Sequence, residues 1–100
     1  MDIDDTICHS VIDGDYATAQ PDFARIRRIN DLFVSGNTII YWTARGTQTG
    51  IEWRDITERQ LENWGVKYHE LWFGKPVYDL FIDDKNINSS AFFSTDAFGI

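Results

Sequence analysis

Two stretches of this chain repeat apolar residues at helical spacing. Phe23, Ile26, Ile29, Asn30 and Phe33 fall on one stripe, with Arg25, Arg27, Arg28 and Asp31 mostly off it. Pro21 suits the first turn of this helix, and Gly36 is placed to stop it. Across residues 51–64, Trp53, Ile56, Gln60, Leu61 and Trp64 form a second stripe that ends at Gly65. Between the helices, residues 38–43 are β-branched and aromatic with little alternation, the pattern of a strand buried on both faces of a parallel sheet. Residues 66–73 and 79–83 are further strand candidates, separated by the turn-forming Gly74-Lys75-Pro76. Residues 8–20 show no sustained period and are expected to form an exposed loop. In the tail, residues 86–100, Phe92, Phe93 and Phe98 are expected to pack on the sheet. Strands alternating with helices predict an α/β domain with a parallel sheet.

Composition narrows the class. One hundred residues, 43% hydrophobic and 25% charged, suit a single domain over residues 1–100 with one core. A formal charge of -7 without a basic stripe argues against a nucleic-acid module and favours cations. The one cysteine, Cys8, admits no internal disulfide. No secretory pattern is visible, and no apolar run approaches the ~20 residues of a spanning helix, so a cytoplasmic location without membrane attachment is expected.

The candidate chemistry lies at or just after the ends of the expected strands, where open α/β sheets put their ligands. Asp2 and Asp4 are two residues apart at a strand-to-loop junction, so both carboxylates can reach one ligand. Alone, such a pair is more often a solvated surface feature. Thr43, Lys75 and the adjacent Asp83 and Asp84 each have a bland reading too, as a strand end, a turn residue and a cap. In combination they supply a hydroxyl, an ammonium and two like charges that a cation would reconcile. Mg2+ fits that role because it prefers oxygen ligands and keeps waters.

These motifs resemble the haloacid dehalogenase superfamily, whose D-x-D-x-T, strand-Thr, Lys and acidic-pair elements match Asp2/Asp4/Thr6, Thr43, Lys75 and Asp83/Asp84. More narrowly, D-I-D-D-T-I-C, T-A-R-G, W-G-V-K-Y-H-E-L and G-K-P-x-Y-D resemble the small capless phosphatases of capsule and surface-polysaccharide biosynthesis. The resemblance implies a three-layer Rossmann-like parallel sheet with helices on both faces. It implies a phosphomonoester hydrolase with Asp2 as nucleophile, Asp4 as acid and base, and Thr43 and Lys75 holding phosphoryl oxygens. Mg2+ would be held by Asp2, the backbone carbonyl of Asp4 and Asp83, with Asp84 completing the cluster directly or through water, and Thr6 and Arg45 would bind substrate, expected to be a sugar phosphate. Arg45 has an equal alternative in pairing with an acid.

Two departures from that pattern matter. Only Met1 precedes Asp2 where related chains carry an apolar strand, so a truncated first strand or a start lying upstream is expected, with reduced stability and activity. No stretch has room for a cap, so the site should be open, suiting an extended substrate or a lid lent by another subunit of a homo-oligomer. The alternative is a catalytically impaired relative that binds phosphate or a partner. His9, His69 and Cys8 lack the spacing of a zinc set. Of the tryptophans, Trp72 alone is kept as a substrate contact.

Overall fold

The computed structural model describes residues 1–9 and 14–94. In chain order the elements are β1 (Cys8–His9), a 3-10 turn (Tyr16–Thr18), β2 (Gln20–Pro21), α1 (Phe23–Val34), β3 (Ile40–Trp42), α2 (Arg54–Asn63), β4 (Glu70–Trp72) and α3 (Ser89–Phe93). The fold is α/β, with strands paired two by two.

Both helical stripes form helices, displaced slightly from expectation. The Asp22 carboxylate accepts the Arg25 backbone N–H at 3.2 Å and so caps α1, which leaves Pro21 in β2 rather than in the first helical turn. Ile26 and Ile29 are buried, whereas Phe23 on the opening turn is exposed. The helix stops at Ser35, followed by Gly36 with φ of 101°. In α2 the buried side chains are Thr57 and Leu61. Glu52 accepts the Arg54 N–H at 2.8 Å at its start, and Gly65 ends it with φ of 72°.

β3 and β4 pair in parallel, Tyr41 opposite Leu71. Thr43 donates its N–H to the Trp72 carbonyl and the Ile39 carbonyl accepts from His69, so these residues face β4. The intervening residues face the other way: Met1 donates to the Ile40 carbonyl at 2.9 Å, and Trp42 donates to the Met1 carbonyl at 2.8 Å. Met1 therefore runs parallel to β3 along the edge opposite β4.

The core gathers Ile3, Ile7, Cys8, Ala19, Ile26, Ile29, Ile39, Tyr41, Leu61 and Val66. Phe92 and Phe93 of α3 pack against it, with the Arg28 and Arg25 guanidinium groups 4.5 Å and 4.7 Å from their ring centres. Phe98 lies outside the described residues. Part of the expected loop is ordered by antiparallel pairing of Cys8 with Pro21 and His9 with Gln20.

The expected strand at 79–83 is not present. Residues 77–87 are exposed, with Leu80 75% and Ile82 85% accessible. An apolar run becomes a strand only where an edge accepts its backbone and a face covers its side chains, and this one has neither partner in the sheets described. The three-layer parallel sheet is accordingly not seen among the described residues. No helix among them is long and apolar enough to cross a membrane.

Candidate active site

Asp2 follows Met1, Thr43 follows β3, and Lys75 follows β4 across Phe73 and Gly74. The parallel register thus delivers three of the expected residues to the same end of the sheet. Lys75 is tied there through its backbone: its N–H donates to the Thr43 carbonyl at 3.1 Å, and its carbonyl accepts the Thr47 hydroxyl at 2.9 Å. Its ammonium Nζ lies 3.6 Å from Asp2 Oδ1 and 5.6 Å from the centre of the Tyr78 ring. Thr6 Oγ1 donates to the other Asp2 oxygen at 3.3 Å. The Asp2 side chain is 38% exposed, so its carboxylate is both oriented and reachable from solvent.

The chain turns sharply after Asp4. Thr6 and Ile7 both donate to the Ile3 carbonyl, and Asp5 takes φ of 61°, a conformation uncommon for a residue with a Cβ. This turn buries Ile3 and Ile7 while Asp2 and Asp4 stay half-buried. The Thr6 side chain is consequently directed at the Asp2 carboxylate within the protein, rather than outward as the substrate contact expected of it.

Arg45 differs more from expectation. Its side chain is fully solvent-excluded, and Nε and Nη2 donate to Asp4 Oδ2 and Oδ1, each at 3.0 Å. Nη1 donates to Thr57 Oγ1 at 3.0 Å and to Gln60 Oε1 at 2.6 Å. The guanidinium carbon sits 4.8 Å from the centre of the Tyr16 ring. Arg45 therefore takes the acid-pairing alternative, and its fork is not presented to a substrate. The backbone helps to place it. Thr43 Oγ1 accepts the Arg45 N–H at 3.1 Å, and a Cβ on Gly46, whose φ is 80°, would sit 2.2 Å from the Ile51 carbonyl oxygen, so only glycine permits this turn.

Asp83 and Asp84 do not join Asp2 and Asp4. Both lie in the exposed segment, and among the described residues no group of three or more His, Cys, Asp or Glu side chains is placed to hold a metal. Asp83 instead accepts the Lys85 backbone N–H at 3.1 Å, and that bond, followed by the Asp84 side chain, holds its carboxyl below the usual range. Cys8 lies with its Sγ 3.5 Å from Asp4 Oδ1, and burial, reinforced by the Asp4 charge, pushes its thiol up to about 12. His69 accepts the Ile39 N–H through Nδ1 and stacks on Phe33, a structural use. Trp72 is 47% exposed, its indole N–H donated to Glu70.

Three participants escaped the sequence reading: Tyr16, Thr57 and Gln60. Gln60 gave a signal, since it is a polar residue on the apolar stripe of α2, where a buried partner must satisfy it. A cleft of about 450 Å³ between α1 and α3, lined by Arg25, Arg28 and Phe93 among others, contains neither Asp2 nor Lys75.

No family model matches the chain, and no curated protein sequence matches it. The fold is similar to that in a crystal structure of a target protein from Vibrio cholerae, at 27% sequence identity and a TM-score of 0.84, covering 98% of this chain and 88% of that one. The likeness carries the shared fold across nearly the whole chain.

Proposed function

We propose that this protein is a phosphomonoester hydrolase that works through an aspartyl-phosphate on Asp2. The observation that carries the reading is the convergence of Asp2, Thr43 and Lys75 beside the carboxyl ends of β3 and β4, with the Lys75 ammonium 3.6 Å from a half-buried Asp2 carboxylate that is 38% exposed. A carboxylate in that position can attack phosphorus, and an ammonium beside it offsets charge on the phosphoryl oxygens. The Thr43 hydroxyl accepts from the Arg45 backbone and keeps its own hydrogen to donate.

In the first half-reaction an Asp2 oxygen forms a bond to phosphorus as the bond to the ester oxygen breaks, and that oxygen leaves with a proton that Asp4 has first taken up from solvent on Oδ2. In the second, water attacks the same phosphorus and gives a proton to Asp4. The Asp2–phosphate bond breaks, and inorganic phosphate departs. Thr6 keeps the Asp2 carboxylate oriented through both steps.

Mg2+ would supply charge neutralisation between carboxylate and phosphate. The described acids do not amount to a preformed magnesium cage, because Asp83 and Asp84 are apart from Asp2. No step is therefore routed through the ion. Its participation is part of the proposal, as is a larger Rossmann-like parallel sheet. The substrate we put forward, a sugar phosphate of surface-polysaccharide synthesis, rests on sequence resemblance. The separated acidic pair favours one other reading, a catalytically impaired phosphate-binding protein.

Trapping tests the reading. Acid-quenched turnover of p-nitrophenyl phosphate should leave one phosphoryl group on the peptide carrying Asp2, and none in Asp2→Asn. A phosphoryl group retained elsewhere, or turnover surviving in Asp2→Asn, would overturn it.

A further inference from the structure

We propose that Arg45 is the positioning residue for Asp4, and that helix α2 sets the orientation of this acid–base carboxylate through Thr57 and Gln60. The inference rests on the hydrolase reading above and specifies how its Asp4 is controlled.

Three physical points carry it. The first is commitment: four of the five N–H groups of Arg45 donate to protein acceptors and the side chain is solvent-excluded, so a substrate anion reaches the edge facing Asp4 only by breaking that pair. The second is geometry. Two parallel N–H···O bonds of 3.0 Å force the Asp4 carboxylate into the guanidinium plane, which fixes its direction as no single bond can. The third is energetic. A fully solvent-excluded guanidinium pairs with a carboxylate at little net gain in stability over an apolar replacement, so holding a direction is the better account of its presence.

The guanidinium plane is in turn held from behind. Thr57 and Gln60, three residues apart on α2, take the two Nη1 hydrogens. Gln60 uses its amide to donate to the Tyr16 carbonyl at 2.6 Å, and Tyr16 lays its ring under the guanidinium and meets Trp53 edge-on at 5.0 Å. Helix α2 and the 3-10 turn thus fix Arg45, and Arg45 fixes Asp4. Arg45 takes one acceptor position on each Asp4 oxygen, and the Cys8 thiol lies against Oδ1. Oδ2 keeps an acceptor position through which the proton passes.

The test uses p-nitrophenyl phosphate, inorganic phosphate as competitive inhibitor, and the variants Thr57→Val and Arg45→Lys. Thr57→Val removes one Nη1 acceptor at nearly constant volume, and Arg45→Lys keeps the charge but loses the fork. We expect kcat to fall about threefold to tenfold in the first and up to about a hundredfold in the second, the scale of a misplaced catalytic group. KM and the inhibition constant for phosphate should stay within about twofold in both. In an Asp4→Asn background the additional losses should vanish, because there is no carboxylate left to orient. A weakened phosphate inhibition with kcat retained would overturn the inference in favour of a substrate-gripping arginine. Undiminished losses in the Asp4→Asn background would overturn it in favour of a structural role. Where Asp4→Asn leaves too little turnover to follow, the phosphate inhibition constant of Thr57→Val decides. Absence of turnover in the unmodified protein is a separate result, which removes the hydrolase reading itself.

Discussion

Replacing Asp4 by alanine should destabilise the domain and reverse the effect of a second substitution at Arg45. The reason lies in what each change leaves behind. Asp4→Ala strands a guanidinium whose side chain has no solvent exposure, whereas Arg45→Met strands a carboxylate that is 24% exposed and can recruit water. Breaking a buried pair costs about 3–5 kcal/mol when the survivor is an uncompensated charge. Here Arg45 retains Thr57, Gln60 and the Tyr16 face, so about 2–4 kcal/mol is expected for Asp4→Ala, a large share of the ~5–15 kcal/mol typical of a domain. In that background Arg45→Met removes the stranded charge and should be neutral or stabilising, although in the unmodified protein it destabilises. Urea unfolding followed by circular dichroism, with all four proteins giving the same m-value, measures the cycle. If Arg45→Met costs as much with Ala at position 4 as with Asp, the two side chains are not coupled and the reasoning fails.

Two other expectations concern buried groups. Tyr41 is fully buried, its phenol pushed up by burial and its hydroxyl without a hydrogen-bond partner among the described residues. Tyr41→Phe should therefore raise stability by about 1 kcal/mol, read as a higher urea midpoint at constant m, and a lower midpoint would show that the hydroxyl is satisfied. The Cys8 thiol, lifted from an ordinary 9.0 to about 12, should react slowly with iodoacetamide at pH 8 in the folded protein. Because its folded value lies above its unfolded one, the unfolded chain loses this proton first as pH rises. The thiol's contribution is then complete below about pH 9 and declines toward about pH 12. The stability difference from Cys8→Ala should follow that decline, and a difference that grows with pH would reverse the sign of the argument.

What could be read from the sequence followed locality. The Gly36 and Gly65 stops, the stripes of α1 and α2 and the β-branched run ending at Thr43 depend on neighbours in the chain, and each has its counterpart in the structure. Asp2, Thr43 and Lys75 meet at one sheet end because a parallel register carries strand ends there automatically. Residues 79–83 failed the same reading, since an apolar run states its need for an edge without supplying one. Arg45 was legible in part, since pairing with an acid was one of its two readings. Its position beside Thr43 was visible, but its role depends on Thr57 and Gln60, which reach it only after α2 packs across the strand ends. A polar residue on an apolar stripe was the sole trace of that network.

The most direct test of the central claim is hydrolysis of p-nitrophenyl phosphate with and without Mg2+, for the unmodified protein beside Asp2→Asn. We expect magnesium-dependent turnover that Asp2→Asn abolishes while remaining folded, the amide replacing the carboxylate at nearly constant volume. Equal turnover by the two proteins would contradict Asp2 as the nucleophile, and a folded protein with no turnover under either condition would contradict the hydrolase proposal.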